Sequence, residues 1–214
     1  MKLNIGAPVF DHKTLRLLLG IIAFALPFLV TWVARAPLAS ISASYFTEAR
    51  DWFVGMLFIV GALMLAYNGH TTREALASKA AGLCAFLIAL FPTLAKTCGD
   101  STPGSKIHGI AAVVLFLILA YFCFGPFRDN TKGKGGKKGL RARLYFVCGC
   151  VMVACMLVGL GGRLLLDCET MAAWSITYWV EAVALAAFGV AWIVAGKIIP
   201  VLVDEQEALK LFRR

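Results

Sequence analysis

Charge is what this chain has least of. Asp, Glu, Lys and Arg make up 15% of its 214 residues, against 60% hydrophobic, and the mean hydropathy is +0.81. A soluble domain carries about a quarter charged residues, so that class is excluded. Alternation of apolar and polar positions is also missing, which excludes a transmembrane barrel. No G-x-x-x-x-G-K-[ST] occurs, so the glycines of the basic stretch 128–143 (RDNTKGKGGKKGLRAR) do not form a phosphate loop. No fold motif supports nucleic-acid binding there either. There is no C-x-x-C pair, and Cys148 and Cys150 do not share a helix face, so no zinc or redox site is expected there. Neither a soluble domain nor a long internal repeat interrupts the chain.

What is present is a series of apolar runs. Six approach the roughly 20 residues that a helix needs to cross a bilayer core: 15–34, 52–68, 80–95, 107–127, 144–162 and 174–196. The third is short and contains Pro92, which predicts a kink or shielding by neighbours. The first is too long for a cleavable signal and lacks a clear small-residue cleavage site. The expected fold is all-α, a polytopic membrane protein with a six-transmembrane-helix bundle, one integral membrane domain over 1–214. Small residues of the fifth run (Gly149, Ala154, Gly159, Gly161, Gly162) suit close helix packing within the bundle. Nothing in the sequence speaks to oligomeric state.

Lys and Arg are unevenly divided between the two sides. The N-terminal segment, the second and fourth loops and the tail hold sixteen of them, and the first, third and fifth loops hold five. The positive-inside rule therefore predicts both termini in the cytoplasm, in a bacterial inner membrane. The basic loop 128–143 reads as a solvated topology signal near anionic lipid headgroups. The tail 204–214 (DEQEALKLFRR) is expected to form a short amphipathic helix on the same surface.

That orientation puts the polar stretch SISASYFTEARDWF (40–53) outside, running into the second span. Thr47 is expected to cap that helix, with Asp51 in its first turn, where the helix dipole favours negative charge. Cys98 and Cys168 also fall outside, and an oxidising compartment predicts a disulfide between them. The other five cysteines lie in spans as packing residues.

Ionisable groups within a membrane carry a large cost and ask for a reason. Glu181 lies in the last span and His108 opens the fourth. With Asp51, all three fall on the outer side; His12 and His70 fall on the opposite side. The candidate site is therefore Asp51, His108 and Glu181, with Ser40, Ser42, Ser44, Tyr45 and Arg50 as ligand-binding neighbours. A His oriented by a carboxylate can act as a general base. The same groups could hold a lipid headgroup, with Arg50 on phosphate, or relay a proton. One imidazole and two carboxylates are few ligands for zinc, so no cofactor is expected.

The order of these features resembles the DRAM/FRAG/Sfk-type six-helix membrane proteins and related bacterial membrane proteins. The carriers are ISASYFTEARDWFVGML before and within the second span, IHGIAAVVLFLILAYF in the fourth and YWVEAVALAAF in the last. The family's proline before the acidic residue of the second span is absent, and Gly109 replaces the acid that follows the His. The resemblance implies a six-helix bundle and a role tied to membrane lipids. A weaker resemblance, to the CREST membrane hydrolases, rests on the Ser and Asp before the second span, but the last span has no H-x-x-x-H. The leading expectation is a lipid or amphiphile held in an outward-facing pocket. A hydrolase or acyl-transfer enzyme using His108 with Asp51 or Glu181 is the first alternative, and a small proton-coupled transporter the second. Against the transporter, no inverted repeat is present.

Overall fold

The computed structural model describes residues 11–94, 98, 100–129, 131–204 and 206–208. Of the stretch 204–214, expected to be a helix, residues 204 and 206–208 are described and are not helical; the rest lies outside the described residues. The described residues form eight α-helices, two short 3-10 turns and no strand. The helices are α1 (His12–Ala34), α2 (Arg50–Ala66), α3 (Thr72–Leu90), α4 (Pro103–Phe124), α5 (Pro126–Asp129), α6 (Gly136–Leu165), α7 (Cys168–Ala173) and α8 (Ile176–Ala195). Four segments are long and apolar enough to cross a membrane: His12–Ala34, Pro103–Asp129, Gly136–Leu165 and Ile176–Ala195. Of the other two long helices, α2 has 17 residues, and α3 carries Arg73, Glu74 and Lys79.

Local chemistry sets the ends, and several differ from expectation. Thr71 accepts a hydrogen bond from the Glu74 N–H, so α3 starts well before residue 80. It stops at Leu90, and Pro92 lies beyond the helix rather than kinking it. Thr102 and Ser105 make a reciprocal capping box with Pro103 at the first helical position, so His108 lies more than a turn inside α4. α6 begins at Gly136, within the stretch expected to be a solvated loop, because its lysines and arginines are good helix formers. Asp51 is in the first turn of α2, as expected, but the cap position is Ala49. Thr47 instead ends the 3-10 turn Ser42–Phe46, and its hydroxyl accepts from the Ala49 N–H. Asp167 caps α7 through the Thr170 N–H.

The six long helices form a closed ring. Each of α1, α2, α3 and α4 packs on the next, α4 packs on α6, α6 on α8, and α8 returns to α1. The α1–α8 contact is close because two glycines meet. A Cβ on Gly189 would lie 2.7 Å from the Phe24 Cβ and 2.9 Å from the Gly20 carbonyl oxygen. The shared core is apolar, with Trp192, Phe122 and Phe188 among its largest buried side chains. Outward, large apolar side chains such as Phe28, Leu76, Ile110 and Leu157 are exposed along the helices. Trp32, Trp52, Trp174 and Trp179 are exposed too, and all four lie near one end of the ring.

Candidate functional site

The two ends of the ring differ in chemistry. At the end carrying residues 40–53, the polar side chains mostly bind their own segment. Ser40 Oγ accepts from the Ala43 N–H, and Ser44 Oγ donates to the Ile41 carbonyl. Arg50 donates to the Tyr45 hydroxyl, and its guanidinium lies 4.5 Å from the Tyr45 ring centroid. Only Ser42 reaches another long helix. Its backbone N–H and its hydroxyl donate to the two carboxylate oxygens of Glu181, at 3.2 and 3.4 Å. Glu181, half-buried on α8, thus anchors the start of the 3-10 turn to the last helix.

His108 is buried on α4, and its Nδ1 lies 2.8 Å from the Phe91 carbonyl oxygen. A histidine at this place ties the exit of α3 to α4. Asp51 is exposed beside Trp52, Gly55, Met56 and Ile59, in a shallow groove on the outside of α2. It makes no hydrogen bond or ion pair among the described residues, and none links any two of Asp51, His108 and Glu181. Cys98 and Cys168 stand at disulfide distance, with Cα atoms 5.4 Å apart. They join the connection before α4 to the start of α7. No group of His, Cys, Asp and Glu suited to a metal occurs among the described residues.

The opposite end holds a cavity of about 350 Å³, within the range of ligand pockets. Four stretches far apart in sequence build it. α1 contributes Arg16 and the α2–α3 connection His70. The region from α5 into α6 contributes Phe127, Thr131, Lys134, Lys138, Arg141 and Tyr145. The chain after α8 contributes Lys197 and Glu207. Among the described residues, five formal positive charges and one carboxylate line it. Lys138, Arg141 and Tyr145 are three and four residues apart, which places them on one face of α6.

Two of these cations are buried. Arg16 is 8% exposed and Arg141 2%. Arg16 donates to the Tyr67 hydroxyl from Nε at 2.9 Å, and its Nη2 lies 3.3 Å from His70 Nε2. Its guanidinium stands 5.0 Å from the Phe127 ring centroid and 5.3 Å from that of Tyr67. No carboxylate pairs with it among the described residues. Burying a cation costs several kcal/mol unless something offsets it; here two aromatic faces and a phenol hydroxyl do so. His12 and His70, placed together on this side by the charge count, approach with ring centroids 5.5 Å apart.

The segment after α8 crosses this end as a strap. Lys197 adopts a left-handed backbone (φ 59°), a conformation that costs a non-glycine residue about 1–2 kcal/mol. Lys137 donates to the Pro200 and Val203 carbonyls, Arg141 Nη1 to Leu202 and Lys13 to the Glu207 carbonyl. The Glu207 carboxylate accepts from Arg141 Nη2 at 2.7 Å, pairs with Lys138 at 3.1 Å and lies 3.9 Å from Lys197. Partial burial pushes the Glu207 carboxyl up, but hydrogen bonds from Arg141 and Lys138 and the charge of Lys197 outweigh it and hold the group at about 2. Burial likewise lowers the Lys197 ammonium, while Glu207 opposes that change.

Sequence reasoning did not find this cavity. One signal was available: Arg16 is a charge inside the first apolar run. The other was hidden, since Arg141 stood among six other basic residues that read as solvated. No family model, curated protein or solved structure matches the chain.

Proposed function

We propose that this is a six-span inner-membrane protein with both termini cytoplasmic, and that it holds an amphiphile with an anionic headgroup. The headgroup binds in the basic cavity, at the cytoplasmic surface. The observation that carries this reading is the cavity's charge: among the described residues, five cations, two of them buried, line a space of about 350 Å³ together with one carboxylate. Gathering like charges costs energy, so their convergence at a membrane surface suits an anion of the inner leaflet. The exposed apolar flanks and the ring of exposed tryptophans at the other end suit contact with lipid and with an interface. The resemblance to lipid-linked six-helix proteins points the same way. This places the lipid on the side opposite the pocket expected from Asp51, His108 and Glu181.

The test is lipid retention by the purified full chain. Extracted from mixed phosphatidylglycerol and phosphatidylcholine, the protein is expected to retain phosphatidylglycerol selectively, as read by native mass spectrometry. Lys138→Gln with Lys197→Gln is expected to lower that selectivity. Equal retention of both lipids by the wild-type protein would overturn the reading.

A further inference from the structure

The strap already places an anion in the cavity, and it fits poorly. Glu207 has two acceptor oxygens for Arg141, Lys138 and Lys197, and the last of these stands off at 3.9 Å. Arg141 Nε, buried and on the same edge of the guanidinium as Nη2, has no hydrogen-bond partner among the described residues. That paired edge is suited to two oxygens of one phosphate. A phosphate monoester offers three non-bridging acceptor oxygens, against two on a carboxylate. One bound there could take Arg141 Nε and Nη2 together and still leave oxygens for both lysines. The rest of the strap is held through carbonyl groups, by Lys137, Lys13 and Arg141 Nη1. Among the described residues of the strap, the Glu207 carboxylate is the contact that an incoming anion would replace in kind.

From this mismatch we infer that Glu207 is an internal stand-in for a phosphate monoester, so that the strap and a ligand bearing a terminal phosphate compete for Arg141, Lys138 and Lys197. The inference rests on the anionic-headgroup reading and adds the ligand's chemistry and its control. An empty cavity is closed by its own chain; a filled one releases residues around 207. Because the strap's carboxylate satisfies the cations in the unliganded protein, the site avoids standing as unpaired buried charge.

Two measurements on the full chain in nanodiscs test this. The first compares wild type with Glu207→Gln for binding of short-chain phosphatidic acid. Removing a competitor that fills most of the sites raises apparent affinity, by about tenfold if the strap is docked nine-tenths of the time. The second needs no substitution. A glutamyl endopeptidase can cut after Glu207 only when that side chain leaves the cations, and product mass distinguishes this cut from one after Glu205. Cleavage is expected to quicken in nanodiscs containing phosphatidic acid relative to phosphatidylcholine alone. Unchanged or weaker binding by Glu207→Gln, with cleavage that does not quicken, would overturn the competition while leaving selective retention of phosphatidylglycerol intact. Failure of the wild type to prefer phosphatidylglycerol at all would remove the underlying reading as well. Glycerol phosphate added to phosphatidylcholine nanodiscs separates the sources. Faster cleavage there supports competition and assigns the ligand to a free phosphate ester; faster cleavage with the phospholipid alone supports it and assigns a headgroup.

Discussion

Glu181 shows how a side chain can stand out in a sequence for a structural reason. It interrupts an apolar helix, and it accepts from both the N–H and the hydroxyl of Ser42. The pair joins the 40–46 segment to α8. Ser42→Ala removes the hydroxyl donor and keeps the N–H donor, so the expected loss is about 0.5–1.5 kcal/mol. It would be read as a lower thermal midpoint in detergent, with phosphatidylglycerol retention unchanged. Lost retention at unchanged stability would instead return the ligand to that end. Arg141 is the opposite case: unremarkable among its basic neighbours, yet almost wholly buried. Composition marks a charge in an apolar run, but it cannot mark which of several clustered charges turns inward. That is settled by helix phase. Once α6 is known to begin at Gly136, positions 138, 141 and 145 share a face.

Among the elements, the α1–α8 pair depends on backbone proximity. Gly189→Ala places a Cβ within 2.7 Å of Phe24 and 2.9 Å of the Gly20 carbonyl. The expected cost is about 1–3 kcal/mol from forced separation of the helices. Gly161→Ala, where an added Cβ meets nothing within 4 Å, is the matched control and should gain slightly from helix propensity. Equal midpoints for the two variants would show that the close approach contributes nothing. Much at this scale was legible in the sequence. The apolar runs coincide with the long helices, and Cys98 and Cys168 do come to disulfide distance. Helix ends were less so. The early start of α3 depends on one hydroxyl, Thr71, and that of α6 on lysines that serve a helix as well as a loop. The segment around Asp51 was placed correctly on its helix, but sequence gives no direction for its side chain, which faces out beside Trp52.

For the molecule as a whole, the proposed orientation is testable without knowledge of the ligand. Lys132, exposed in the turn before α6, and Glu48, exposed before α2, lie at opposite ends. In intact cells a membrane-impermeant maleimide is expected to label Glu48→Cys but not Lys132→Cys, and to reach the latter after permeabilisation. The reverse pattern would move the basic cavity to the outer surface and sink an inner-leaflet ligand. The cavity itself was illegible for a reason of topology. Its cations come from α1, from the stretch that leads into α6 and from the segment after α8, and they meet because α8 packs beside α1.

That neighbourhood also sets an order of events. The first helix to emerge during synthesis finds its most extensive partner in the last. Until α8 arrives, Gly20 has no glycine opposite it, and the aromatic box around Arg16 lacks Trp192 behind Tyr67 and Phe127. Contacts between chain ends carry the greatest loop-closure entropy and form late. The strap follows α8, so it can dock only once the ring has closed. A nascent chain would therefore hold its arginine in an open ring until α8 is inserted, and the cavity would be assembled only after that step.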